Sequence, residues 1–111
     1  MGTLSLPVRL ALPEEAQAGS VVSLRLLLQH PMETGYRIGE DGARIPRHIL
    51  TTLRVSYGNR MIANLTLRPA IAANPYLALS FIADQTGLVT LEVEDDRGAK
   101  LMETRLLTVV P

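Results

Sequence analysis

Residues 4–12 read Leu-Ser-Leu-Pro-Val-Arg-Leu-Ala-Leu, and their alternation decides the fold class. Leu4, Leu6, Val8, Leu10 and Leu12 share one face, while Ser5, Pro7, Arg9 and Ala11 share the other. A period of two is the pattern of a strand with one face buried and one wet. Pro7 has no N–H for a ladder, so this strand is predicted at a sheet edge or at a bulge.

The same period recurs downstream. After a polar turn over 13–19, Val22, Leu24, Leu26 and Leu28 alternate with Ser23, Arg25, Leu27 and Gln29. Residues 49–57 place Leu53, Val55 and Tyr57 inward. Gly58-Asn59 follows, and Gly at the first central position suits a type II′ two-residue hairpin. The return strand, 60–68, puts Met61, Ala63, Leu65 and Leu67 on one face. Residues 69–75 are irregular, with room for one helical turn. Residues 76–83 group Leu77, Leu79 and Phe81; residues 88–94 group Val89, Leu91 and Val93. Asp95-Asp96-Arg97-Gly98 is a turn, and 99–110 is the last strand.

Seven short strands with turn chemistry between them predict an all-β chain: an immunoglobulin-like antiparallel β-sandwich forming a single domain over 1–111. A small β-barrel is the competing fold. In the last strand Leu106-Leu107 and Val109-Val110 are adjacent apolar pairs. Either a bulge re-phases that strand or both its faces are covered, the second pointing to a partner surface. Leu27 and Ile62, on the expected polar faces of their strands, add to that hint.

Composition narrows the function. Apolar residues make up 47% of the 111 and charged residues 20%, which excludes a disordered chain. Eleven basic and eleven acidic residues cancel to zero net charge, which argues against nucleic acid as a partner. The chain shows no apolar run of about 18 residues, the length of a membrane-spanning helix, so no membrane partner is expected. The N-terminal MGTLSLPVRL lacks a basic segment leading into an apolar stretch, so no cleavable signal peptide is expected. With no cysteine, the chain has neither a disulfide nor a thiol nucleophile.

Between the second and third strands lie residues 30–48, HPMETGYRIGEDGARIPRH, a long connection for a compact domain. A small hairpin is predicted within it, with Tyr36 and Ile38 facing Ile45 and Asp41-Gly42 at the tip. Glu33 is expected to pair with Arg37 or Arg47, because the planar guanidinium fits a carboxylate. Met32 and Tyr36 are expected to be exposed, since Met and Tyr are common at protein interfaces.

This loop resembles the H-x-M-E-T-G-x-R…D-G…I-P-R-x-I signature of the SoxZ family, the cysteine-free subunit of the SoxYZ carrier complex in bacterial sulfur oxidation. The resemblance continues through Ala73-Asn74-Pro75-Tyr76 and the acidic turn Glu94-Asp95-Asp96-Arg97-Gly98. It implies a chain that is not an enzyme and has no cofactor. Its implied partner is a SoxY-like subunit, in a heterodimer or heterotetramer, whose C-terminal Cys carries the sulfur intermediate during thiosulfate oxidation. Further implied partners are the cytochrome and hydrolase components of the Sox system, engaged transiently. The isolated chain would pair with itself as a homodimer. The implied location is the periplasm, reached by export with a signal-bearing partner. The residues expected to touch a partner are Met32, Glu33, Tyr36, Arg37, Arg47, Asn74 and Tyr76.

The competing reading is a small periplasmic metal-binding or copper-handling domain using His30, Met32 and His48. Its bland counterpart makes both histidines ordinary hydrogen-bonded loop residues. A Ser/His/Asp triad is formally available, but no G-x-S-x-G elbow accompanies it. The cluster Glu92, Glu94, Asp95 and Asp96 reads as a solvated turn. Asn64-Leu65-Thr66 matches a glycosylation sequon by pattern, mid-strand.

Overall fold

The computed structural model describes residues 6–68 and 73–111. Among the described residues, eight strands form two sheets that face each other. The strands are β1 (Val8–Ala11), β2 (Glu15–Gln17), β3 (Val21–Leu28), β4 (Leu50–Tyr57), β5 (Arg60–Thr66), β6 (Tyr76–Ile82), β7 (Gly87–Asp95) and β8 (Lys100–Val110). One sheet runs β1-β3-β6 and the other β2-β8-β7-β4-β5. All pairings are antiparallel except β2 with β8. No helix occurs among the described residues. This is the expected immunoglobulin-like sandwich, with one strand more than the sequence pattern predicts.

The period-two faces meet in the middle. Val22, Leu24, Leu26 and Leu28 of β3 are buried, as are Leu53, Val55 and Tyr57 of β4 and Val89, Leu91 and Val93 of β7. Leu77, Leu79 and Phe81 of β6 pack against this core. Each fully buried Leu or Val contributes roughly 1.5–3 kcal/mol over an exposed one, so these faces dominate the drive to form the sandwich. Pro7 lies just before β1, which is an edge strand, as its missing donor requires. Leu4 and Ser5, and the helical turn considered within 69–75, fall wholly or mostly outside the described residues.

Two expectations are corrected, and the alternatives left open for the last strand are decided. The polar turn over 13–19 contains β2, whose Ala16 packs toward the core while Glu15, Ala16 and Gln17 pair with Thr108, Val109 and Val110. It carries the chain from the edge of one sheet to the edge of the other. In β5 the register slips by one residue, between Val55↔Ala63 and Ser56↔Met61. The bulge puts Met61 on the outer face with Ser56, away from Ala63 and Leu65, and turns Ile62 toward the core. The β7–β8 register is unbroken, so no bulge re-phases the last strand. Leu107 is buried and Leu106 is 57% exposed, so apolar side chains do occupy both faces of β8.

The hairpin at Gly58-Asn59 forms as predicted. Tyr57 pairs with Arg60 across it, and Gly58 takes φ +58° as a type II′ turn requires. Beside it, the Tyr57 hydroxyl accepts the Asp84 and Gln85 N–H groups at 3.2 and 3.1 Å and donates to the Gln85 carbonyl. One side chain thus ties the β6–β7 connection to the end of β4. Arg60 lies over the Tyr57 ring at 5.3 Å and pairs with Asp84 at 3.0 Å.

Candidate functional site

The long loop closes the opposite end of the sandwich. Its base is a reciprocal backbone bridge: Glu33 N–H donates to His48 C=O and His48 N–H to Glu33 C=O, both at 2.8 Å. Its tip is a hairpin turning at Asp41-Gly42 as predicted, but the facing residues are corrected: Ile45 N–H donates to Arg37 C=O at 2.9 Å, so Ile45 lies opposite Arg37 and not opposite Tyr36 or Ile38. Ile38 bridges Arg44, Gly39 N–H donates to Ala43 C=O, and Gly42 sits at φ +80°. Asp41 Oδ1 accepts the Ala43 N–H at 3.0 Å, an Asx turn that fixes the tip. Glu33 pairs with Arg37, which places its carboxyl below the ordinary range through the hydrogen bond from that guanidinium. Arg47 takes the other course, pairing with Asp96 at 3.4 Å.

A second layer of contacts roots the loop in the sandwich. His30 N–H donates to Asn74 Oδ1 at 3.0 Å, and Asn74 N–H donates to His30 C=O at 2.7 Å. Asn74 sits at φ +54°, a conformation Asn tolerates better than most residues. His30 Nδ1 accepts the Met32 N–H at 3.0 Å. That bond closes a tight turn around Met32, itself at φ +52°. Met32 is only 4% exposed, and its sulfur accepts the Leu50 N–H at 3.3 Å. The expectation of an exposed Met32 is therefore overturned: the left-handed turn aims its side chain into the core, where it cannot touch a partner directly.

The two histidines meet edge to face, with ring centroids 4.7 Å apart. His48 Nε2 lies 3.0 Å from Asp95 Oδ2, so the imidazole N–H donates to the carboxylate. Asp95 Oδ1 accepts the Arg97 and Ala99 N–H groups at 2.9 and 2.8 Å. Burial works to raise the Asp95 carboxyl, but the hydrogen bonds from His48, Ala99 and Arg97 together hold it below its ordinary 3.8. Burial lowers His30 below its ordinary 6.5, and His48 lowers it further, against the pull of Asp95 and Asp96. Arg97 reaches back to donate to the Arg47 carbonyl at 3.2 Å, and Asp96 N–H donates to Ile49 C=O at 2.9 Å.

The acidic turn is thus no solvated cluster. Asp95 is 4% exposed and is the residue that joins loop to turn. Its signal was present in the period: Val89, Leu91 and Val93 point inward, and Asp95 is the next position in that phase. Three of the atoms that a metal would use are already engaged, while His30 Nε2 is buried without a hydrogen-bond partner among the described residues. His30 Nδ1, Met32 Sδ and His48 Nε2 each hold a hydrogen bond within the protein, and no group of three or more His, Cys, Asp or Glu residues able to hold a metal ion occurs among the described residues.

Of the residues expected at a partner surface, Tyr36 is 78% exposed on the hairpin, and Arg37 and Arg47 lie on the loop's outer side. Tyr76 is 63% exposed at the start of β6, where it pairs with Leu27 on the outer face of the three-stranded sheet. Glu33 and Asn74 act as braces. The second exposed region, which the loop motif did not indicate, is the outer face of the five-stranded sheet. There Leu88 pairs with Leu106, Thr90 with Thr104, and Glu92 with Met102. Leu88, Leu106 and Met102 are each more than half exposed.

These features define a class: an immunoglobulin-like β-sandwich with a braced end loop and an apolar strip on one sheet. A family model described as "Sulphur oxidation protein SoxZ" matches residues 8–105, and the chain belongs to that family. No curated protein sequence matches it. Among solved structures it is similar to the sulfur carrier protein SoxY from Chlorobium limicola f thiosulfatophilum. That match has 19% identity and a TM-score of 0.68, covering 96% of this chain and 87% of that one. It is also similar to a superoxide reductase (neelaredoxin) from Ignicoccus hospitalis, at 13% identity and TM-score 0.70, covering 98% and 81% of the two chains. A putative superoxide reductase from Thermotoga maritima matches at 10% identity and TM-score 0.72, covering 94% and 86%. At these identities the likeness is one of fold. Family membership makes the chain a sulfur-oxidation carrier subunit.

Proposed function

We propose that this chain is the non-catalytic subunit of a heterodimeric SoxYZ-type carrier, paired with a SoxY-like subunit whose C-terminal Cys holds the sulfur during thiosulfate oxidation. The observation that carries the pairing is the strip down β7 and β8 in which Leu88 pairs with Leu106 and Thr90 with Thr104, followed by exposed Met102 opposite Glu92. Exposed apolar side chains in a row on a sheet face mark an association surface. The charges gather at the strip's Met102 end and alternate in sign, with Arg54 opposite Glu92 and Glu94 opposite Lys100. That arrangement favours one register of approach over others. Sulfur chemistry on the partner follows from composition, since this chain has no thiol to carry a persulfide or thiosulfonate.

The braced hairpin, with Tyr36, Ile38 and Arg37 outward, is the second contact, offered transiently to the cytochrome and hydrolase components. The complex works in the periplasm, the chain entering with its signal-bearing partner. In the partner's absence the same strip covers itself, giving a homodimer.

The test is to mix the purified chain with a SoxY-like subunit and measure the mass of the product by sedimentation. A 1:1 complex is expected, burying about 800 Å² per partner. Leu106→Glu should leave the melting temperature within about 2 °C and weaken the complex by about thirtyfold or more, the effect of losing a central contact. Independent sedimentation of the two wild-type chains contradicts the proposal.

A further inference from the structure

His30 is 3% exposed, and its ring sits where its protonation state controls the backbone. Nδ1 accepts the Met32 N–H at 3.0 Å, so the neutral ring carries its proton on Nε2. Nε2 is buried without a hydrogen-bond partner among the described residues, and so is Asp96 Oδ1. We propose that His30 is a protonation-sensitive latch: a proton on Nδ1 opposes the Met32 N–H, opens the turn at Met32 and releases the loop from the β7–β8 turn.

The chemistry is that of two donors facing each other. An imidazolium has N–H groups on both nitrogens and no acceptor. Once Nδ1 is protonated, the Met32 N–H loses its acceptor inside a buried site, where an unpaired donor is costly. Among the described residues, His30 Nδ1 is the side-chain acceptor for the Met32 N–H. Its loss pulls on the Met32 sulfur, which binds Leu50 N–H, and on Glu33, which bridges His48. Every charged or titratable group around the ring bears on the balance. From the loop's end just before β4, His48 packs on the ring edge and disfavours a positive charge on His30. From the β7–β8 turn, Asp95 and Asp96 favour it, the first engaged by His48 and the second by Arg47. Arg97 is turned to the Arg47 carbonyl and Glu33 to Arg37. From the β5–β6 connection, the group facing His30 is the neutral Asn74. Burial of the ring keeps it neutral in the closed state, so acid drives opening.

If the hairpin docks as proposed above, partner binding weakens along with the loop. That consequence rests on the docking reading; the latch does not, and it is tested on the isolated full chain. Ring ¹⁵N shifts of both histidines and amide hydrogen-exchange protection are followed from pH 7.5 to 5.0. The expected result is a neutral His30 with Nε2 protonated at pH 7.5. As that ring titrates, protection of Met32, Glu33 and His48 amides should fall at least tenfold while β3 and β7 amides hold theirs. His30→Asn keeps an acceptor near the Nδ1 position and cannot be protonated there, so its loop protection should not change across this range. The latch is overturned if the loop stays protected while His30 titrates, if it opens while His30 remains neutral, or if His30→Asn opens as the wild type does. The ring shifts and exchange of the wild type decide the matter even if that variant folds poorly.

Discussion

The two ends of the sandwich solve the same problem with different chemistry. At one end, Tyr57 holds the β6–β7 connection through a neutral hydroxyl that makes three backbone hydrogen bonds. At the other, His30, His48 and Asp95 hold the long loop and the β7–β8 turn through groups that titrate. A hydroxyl that donates and accepts at once is a fixed fastener. An imidazole is not. One end is therefore a fixed closure and the other an adjustable one, and the adjustable end carries the family's sequence signature.

The largest effect is expected from Tyr57→Phe. It leaves two N–H groups and a carbonyl without their side-chain partner, and the expected loss is about 2–3 kcal/mol, measured by urea unfolding and independent of pH between 5 and 8. Asp95→Asn should cost about 1–2 kcal/mol at pH 7, because it removes the anion that His48 and two backbone N–H groups converge on. The wild type should lose stability in two steps as pH falls. His30, held below its ordinary 6.5 when folded, contributes stability that is fully present above about 6.5 and is lost as pH falls from there toward its folded value. Asp95, held below 3.8, contributes stability present above about 3.8 and lost as pH falls through its folded value. Asp95→Asn should abolish the second step, and Tyr57→Phe neither.

Gly35→Ala is a smaller perturbation at the loop end. Gly35 takes φ +93°, and an added Cβ would meet Arg47 Cβ at 3.2 Å. The expected cost is about 1 kcal/mol, with loop amides exchanging faster and those near Tyr57 unchanged. Smallest of all is Arg37→Ala. The pair with Glu33 lies at the surface, so the unfolding midpoint should not move, while NMR titration should find the Glu33 carboxyl returned toward 4.5.

Most of the fold could be read from the chain because burial on one face imposes a period of two. Val22 to Leu28, Leu53 to Tyr57 and Val89 to Val93 all keep it, and Gly58 marks the hairpin where a positive φ is needed. What escaped were features without a repeat. β2 has three residues and is held by pairing at an edge, so Glu-Ala-Gln carries too little pattern to distinguish it from a turn. The β5 bulge is a one-residue slip that no residue type near Met61 announces. In the site, the Glu33–Arg37 pair and the hairpin tip followed from charge spacing and turn residues. The burial of Met32 did not, because it depends on a left-handed turn set by His30, two residues back, and by Leu50, eighteen residues on. Asp95 could have been read as inward from the phase of β7, but its charge argued for solvent. The hydrogen bonds that reverse that argument come from His48, 47 residues away, and from its own turn.

In the proposed carrier the sulfur is held by the partner and this chain supports it. Intact-mass spectrometry of the reconstituted pair after exposure to a sulfur donor tests it most directly. Mass increments of sulfur species are expected on the SoxY-like chain alone, removed by a thiol reductant, with the 111-residue chain unmodified in the same complex. A reductant-sensitive sulfur adduct on the 111-residue chain would contradict it.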